Sequence, residues 1–361
     1  MRVALVAPYD LAVPGGVQAQ VLGLARALVG LGAEAAVLAP GTPGPRSAAG
    51  LRLEGAGRSL ALPANGSRAP VALGPGALAR TRRFLASFDP DVVHVHEPFV
   101  PGPALASLIV ARVPVVATFH RAGAGAGYRL AGLALRRLLG RLDDVVAVSE
   151  AARETLLAVV GPGAGRCSIE PNGVDLERFV AAVPAARAAP VVCFVGRHEQ
   201  RKGLAVLLEA FASLEIEARC WVVGTGPLSA PLRARYGADP RVEWLGVLGD
   251  AELASHLAAA DVLAAPSLGG ESFGVVLLEA MAAGAAVVAS DLPGYRDAAG
   301  DAACYVPPGD ARCLAAALRS LLTDRSRREH LVAAGHRRVA PRGFPALAQR
   351  YLARYEAARR R

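Results

Sequence analysis

Short valine-rich runs recur along the whole chain, each followed by loop residues and then by a helical pattern. They fall at residues 2–7, 35–39, 92–95, 114–117 and 144–148, and again at 190–195, 219–224, 241–245, 261–265 and 285–289. Runs this short and this apolar read as strands buried on both faces, and the helical segments between them are the crossovers that parallel strands require. The pattern predicts an α/β fold with parallel sheets. A length of 361 residues suits two domains, each able to bury its own core. Pro171-Asn172-Gly173 and the Ala/Pro-rich stretch 181–190 mark a joint between them. The expected architecture is therefore two doubly wound, Rossmann-like domains, 1–172 and 173–343, facing each other across a cleft, with ligands at the carboxyl ends of the strands.

Composition narrows the classes of function. The most apolar long window, 104–119, is cut by Arg112 and Pro114, and the opening run before Pro8 is too short for a signal peptide. Five cysteines without a CxxC pair indicate neither disulfides nor zinc, so the expectation is a soluble, cytoplasmic chain. The net charge of +9 is uneven, with 17 basic against 11 acidic residues in 1–170. Windows 55–88 and 98–142 contain no acid at all, which points to an anionic partner: a phosphate ligand, a membrane surface or nucleic acid. With 5% aromatic residues and no basic-aromatic interleaving, nucleic acid is the least supported of the three.

The chemistry concentrates in residues 269–284, GGESFGVVLLEAMAAG. Residues 275–283 read as a helix starting near Phe273 or Gly274. The glycines and Ser272 at its start, together with the free N–H groups of its first turn, suit a phosphate. Glu271 precedes the helix and Glu279 lies on it, where an unpaired charge in an apolar run would be costly. Two acids beside an anion site suit the gripping of sugar hydroxyls. In the loop 195–203, VGRHEQRKG, stands the only lysine of the chain, Lys202, against 39 arginines. Such a bias would tolerate arginine wherever charge alone mattered, so Lys202 marks a place for a compact ammonium, with Arg197 as a second cation. Near the start, Gly15-Gly16 opens a helix without the G-x-G-x-x-G fingerprint of dinucleotide enzymes. His94 and His96 share one face of a strand, but no third ligand stands nearby for a metal. His120 ends the strand VVATFH, where a neutral imidazole could bond a sugar hydroxyl or an acceptor. In 77–88, Ala77, Thr81, Phe84, Leu85 and Phe88 share a face away from Arg80 and Arg83, the pattern of a helix on a membrane or of an ordinary packing helix.

The 269–284 segment resembles the E-x(7)-E element of the retaining family 4 glycosyltransferases, which have the two-domain GT-B architecture. Further segments are similar to one branch, the actinobacterial phosphatidylinositol mannosyltransferases that use GDP-mannose. These are PYDLAVPGGVQ (8–18), NGS (65–67), HVHEP (94–98), VVATFH (115–120), PNGVD (171–175) and GRHEQRKG (196–203). The resemblance implies Gly16, Arg197 and Lys202 at the donor diphosphate, Glu271 on the donor sugar, Glu279 on the ribose and His120 at the reaction centre. Tyr9, Gln18, Asn65 and Ser67 would face the inositol phosphate. The pattern departs on the acceptor side, at Ala64, Pro70 and the loop after His120, where Arg68 or Arg121 would replace a lost cation. It further implies front-face transfer with no metal and no cofactor beyond the nucleotide sugar. A last helix, about 344–361, would pack back on the first domain. Arg80, Arg82 and Arg83 would meet an anionic phospholipid at the inner face of the plasma membrane. The alternatives are a sibling transferase with a soluble acceptor and a non-catalytic binder of sugar nucleotides.

Overall fold

A computed structural model of the chain describes residues 1–41, 51–64, 67–123, 136–161 and 166–361, with the backbone alone at 62–64, 67 and 68. The chain forms two compact units, Met1–Gly173 with Gly343–Arg361, and Val174–Arg342. The Ala/Pro-rich stretch 181–190 lies inside the second unit, so the division comes at the Pro171-Asn172-Gly173 loop.

The first unit holds a seven-stranded sheet built from β1 (Arg2–Val6), β2 (Glu34–Ala39), β3 (Arg52–Gly55), β6 (Val92–His96), β7 (Val115–Phe119), β8 (Asp144–Ala147) and β9 (Ser168–Ile169). Its spatial order is β3-β2-β1-β6-β7-β8-β9, with every pair parallel. A separate antiparallel hairpin, β4 (Leu60–Ala64) with β5 (Ser67–Val71), stands beside it in sequence. The second unit has a six-stranded parallel sheet from β10 (Val191–Val195), β11 (Arg219–Val223), β12 (Val242–Gly246), β13 (Val262–Ala265), β14 (Ala286–Ser290) and β15 (Ala303–Val306), in the order β12-β11-β10-β13-β14-β15. That is the 3-2-1-4-5-6 order of a Rossmann-like sheet. The valine-rich central strands are buried along nearly their whole length, as parallel strands covered by helices on both faces must be.

In each sheet the strand order reverses at one point, between β1 and β6 and between β10 and β13. Crossovers there leave to opposite sides, so a crevice opens at the carboxyl ends of those strands. Tyr9 follows β1 and Glu97 follows β6. Arg197 follows β10 and Ser267 follows β13. Tyr9 and Arg197, both singled out from the sequence, thus stand where each sheet makes room for a ligand.

The last helix, Phe344–Arg359, belongs to the first unit and sets Leu347, Ala348, Tyr351, Tyr355 and Ala358 into its core with Val21, Leu24 and Leu28. For the helix Pro75–Phe88, read from the sequence either as a membrane helix or as an ordinary packing helix, the structure shows packing. Ala77, Thr81, Phe84 and Phe88 are buried inside the unit, and the Thr81 hydroxyl donates back to Ala77 O at 2.8 Å. That apolar face is therefore spent on packing, and the exposed side of the helix carries Arg80, Arg82 and Arg83 together with Leu78. Among the described residues no helix is long and apolar enough to cross a membrane.

Candidate active site

In the second unit the β10 loop and the β13 loop are stitched together. Gly203 has φ +68°, and a Cβ there would stand 1.8 Å from the carbonyl oxygen of Pro266. Only glycine allows that approach. Leu268 N donates to Arg201 O at 2.7 Å from the other side. This seam brings the single lysine onto Glu271: Lys202 Nζ lies 2.8 Å from Oε1, where Arg201 Nη1 at 3.0 Å and Ser267 Oγ at 3.1 Å also donate. Burial pushes the Glu271 carboxyl upward, but Lys202 and Arg201 outweigh it and hold the group below its ordinary range. Glu271 is an anion at neutral pH.

The chain of charges continues away from Glu271. Arg201 Nε reaches the buried Glu199 at 3.3 Å, and Arg197 Nη2 reaches the same carboxylate at 3.0 Å. Three cations thus surround two carboxylates, leaving a net positive patch around Glu271. Next to it starts the helix Val275–Ala283, capped by Gly274 at φ +87°, where a Cβ would collide with the Tyr295 ring at 2.5 Å. No side chain caps this helix, so its first N–H groups stay available to an anion. Ser272 is half-buried at this start. Phe273, expected among the donor-binding residues, turns its ring into the core beneath Arg342, so only its backbone can meet a ligand.

Glu279 lies on the same helix, and burial raises its carboxyl above the ordinary range, partly offset by Arg178. Arg178 Nη2 is 3.8 Å from Glu279, and its Nη1 is 3.5 Å from Asp250. Arg201, Arg178 and Glu199 were not legible as site residues in the sequence. The arginines are two of 39, and their partners lie 70 and 101 positions away along the chain. The one available signal was the spacing Arg197-x-Glu199-x-Arg201-Lys202, alternating charges in a loop between strand and helix.

In the first unit the loop after β1 is held by its own side chains. Asp10 N donates to Pro70 O at 3.0 Å, while the Asp10 carboxylate accepts from Ser59 Oγ at 2.6 Å and Ala12 N at 3.0 Å. Gln18 is buried and spends its amide on Val13 O at 3.0 Å and Asp10 O at 3.4 Å. Through Nε2 it clasps the loop. Tyr9 is half-buried above this clasp, its phenol pushed up by burial and by the Glu97 carboxylate, with Arg121 pulling the other way. Gly15 and Gly16 are exposed at the start of the helix Gly16–Gly30. Asn65 lies outside the described residues, and Ser67 and Arg68 are placed by backbone alone, opposite Ala64 and Pro63 in the hairpin.

His94 and His96 do share a face, and their nitrogens are largely taken by neighbours. His94 pairs with Tyr355 Oη at 2.7 Å and Thr118 Oγ1 at 2.8 Å, and His96 Nδ1 lies 2.8 Å from His120 Nε2. Burial drives the His120 imidazole down to about 3, so it is neutral in the working range. Glu97, beside it, is pushed by burial up to about 7 despite the backbone N–H groups and guanidinium of Arg121 and the N–H of His120. Arg121 also donates through Nε to Gly123 O at 3.0 Å.

Two Rossmann-like units, one bearing a cluster of cations around a buried carboxylate, fit a glycosyltransferase of GT-B architecture. Known proteins agree. Residues 14–178 match the family profile described as Glycosyltransferase Family 4, and 189–324 match that described as Glycosyl transferases group 1. A protein named phosphatidyl-myo-inositol mannosyltransferase from Mycobacterium leprae is 36% identical over 99% of this chain and 96% of its own. Its namesake from Mycolicibacterium smegmatis is 39% identical over 94% and 89%. Among solved structures, a sucrose-phosphate synthase from Thermosynechococcus elongatus superposes with a TM-score of 0.78 at 22% identity, covering 99% of this chain and 98% of that one. A glycosyltransferase from Rickettsia africae gives 0.76 at 18%, with the same coverage. The chain belongs to glycosyltransferase family 4.

Proposed function

We propose that this enzyme is a retaining, metal-independent mannosyltransferase that moves mannose from GDP-mannose to phosphatidylinositol, working peripherally at the inner face of the plasma membrane. The observation that carries the donor half is the Lys202–Glu271–Arg201 cluster beside an uncapped helix start. Lys202, Arg197 and the helix N–H groups stabilise charge growing on the leaving diphosphate, as preorganised donors in a dry site do. Glu271 accepts from the sugar hydroxyls and Glu279 from the ribose. These cations are already in place, so the leaving group needs no divalent ion. The neutral His120 bonds reactants without titrating. No carboxylate stands as an assigned nucleophile, so the acceptor oxygen attacks from the face the leaving group vacates, and the departing phosphate takes its proton. The names carried by relatives support mannose and phosphatidylinositol.

One observation favours a second reading, a sibling with a soluble acceptor: the apolar face of Pro75–Phe88 is buried and unavailable to lipid. A thermal-shift panel with GDP-, UDP- and ADP-sugars, followed by transfer to phosphatidylinositol in vesicles with and without EDTA, tests both halves. Stabilisation by GDP-mannose and EDTA-resistant labelling of the lipid are expected. A magnesium-reversible loss in EDTA overturns the metal-free mechanism, and labelling of free inositol phosphate alone establishes the soluble acceptor.

A further inference from the structure

His96 and Glu97 are buried, polar and adjacent, and nothing so far gives them a task. Both bear on His120. β6 and β7 are parallel neighbours with His96 opposite Thr118, so the residue two beyond Thr118 comes over the same face. Glu97 adopts φ +48°, a left-handed turn that non-glycine residues avoid, and its carboxylate accepts the backbone N–H of His120. From the other direction the His96 ring places Nδ1 at 2.8 Å from His120 Nε2. His96 cannot swing away, because its ring is stacked on His94 at 4.3 Å and His94 is fixed by Tyr355 and Thr118.

One hydrogen lies between the two nitrogens, and the surroundings decide whose it is. His96 Nε2 is buried without a partner. Were His120 the donor, neutral His96 would carry its own hydrogen on Nε2, as a bare N–H in the interior. Were His96 the donor, Nε2 would hold a bare lone pair. Buried orphan donors are the rarer and costlier of the two. Burial pushes both rings well below their ordinary range, so neither acquires a second proton near neutrality.

We propose that His96 and Glu97 are the positioning residues of His120: the carboxylate fixes its backbone, and the His96 ring fixes its tautomer, so that His120 presents Nδ1–H as a donor. This deepens, and rests on, the reading of His120 as a group at the reaction centre. An imidazole held in that tautomer donates to a hydroxyl or to a developing oxyanion and takes no proton from the acceptor. The acceptor's proton must then leave by another route, which is the role given above to the departing phosphate.

Nitrogen-15 histidine NMR on the full-length protein reads the tautomers without any turnover. Both His96 and His120 are expected to be protonated at Nδ1 alone. His120 protonated at Nε2, the state that an ordered water on His96 Nε2 would allow, overturns the proposal. In the transfer assay His96→Leu is expected to lower kcat by about 100-fold, the scale of one misdirected donor, with the KM for GDP-mannose unchanged. His96→Asn, whose amide N–H stands near the lost Nδ1–H, should recover activity to within about threefold of wild type. Wild-type kcat in His96→Leu, or equal losses in both variants, also overturns it. Full activity in His120→Ala would instead remove His120 from the reaction centre, while the wild-type tautomers would still show whether the geometry was read correctly.

Discussion

Acid should destabilise the first unit chiefly through its buried histidines. His94 and His120 sit at about 3 in the fold against an ordinary 6.5, because burial penalises the imidazolium. Below pH 6.5 the unfolded chain binds these protons and the native one does not, so stability falls with pH. Each group costs about 1.4 kcal/mol per pH unit, or about 2 kcal/mol between pH 6.5 and about pH 5. Glu97 works in the opposite sense. At about 7 in the fold it is protonated before its unfolded counterpart, and it returns about 2 kcal/mol over the same interval. His96, lowered by burial in the same direction as its neighbours, adds to the loss. The sum is a fall of at least about 2 kcal/mol, a sizeable part of the stability of an ordinary domain. Urea titrations followed by far-UV circular dichroism from pH 7.5 to 5 measure it. Both tryptophans, Trp221 and Trp244, lie in the second unit, so fluorescence supplies an internal comparison. His94→Gln, which cannot titrate, should flatten the pH slope by about 1.4 kcal/mol per unit even if it lowers stability at pH 7.5. Stability that stays level or rises toward pH 5, or an unchanged slope in His94→Gln, would refute the reasoning.

Lys202→Ala is expected to lower kcat by about 10² to 10³-fold, with Lys202→Arg no better, since a planar fork does not fit beside Arg201 at 2.8 Å from Glu271. Steady-state kinetics decide it, and near-normal Lys202→Arg would sink the argument from the single lysine. Arg178→Ala removes the cation that restrains Glu279, so the KM for GDP-mannose should rise as pH is lowered from about 8 to about 6, more steeply than in wild type. Parallel KM profiles would show that Arg178 does not govern that carboxyl. Replacing Arg80, Arg82 and Arg83 with glutamine should weaken binding to anionic vesicles by about 1 kcal/mol per residue at moderate ionic strength, leaving GDP binding by calorimetry unchanged. Wild-type protein that ignores such vesicles at low salt would favour the soluble acceptor.

Strands buried on both faces were legible because an unbroken valine run has few other uses. The ten runs read from the sequence all coincide with strands. The five unread ones lack that signature. β3 is the charged edge segment RLEG, β9 has two residues, β15 is the short edge segment ACYV with a single valine, and the hairpin is written LALPA and SRAPV, with a proline in each strand. In the second unit Glu271, Lys202 and Arg197 stood out because glycine spacing and a solitary lysine make them rare. Arg201 and Arg178 carry no such mark, and only the stitching of β10 to β13 and the packing of short helices reveals them. The helix Pro75–Phe88 shows the limit of periodicity: its apolar face announces burial but not whether protein or lipid covers it.

The return of the chain into its first unit has a consequence for how the protein is made. Residues Val174–Arg342 are contiguous and include every strand of their sheet, so that unit can close as soon as it has been synthesised. The first unit cannot. Its core lacks Leu347, Tyr351 and Tyr355 until the final stretch of the chain emerges, and with them the hydroxyls that hold His94 and Thr118. The older half of the polypeptide therefore waits for the youngest. A ribosome that stops short of residue 344 releases a second unit with its sheet complete, and a first unit whose histidine cluster is open to water.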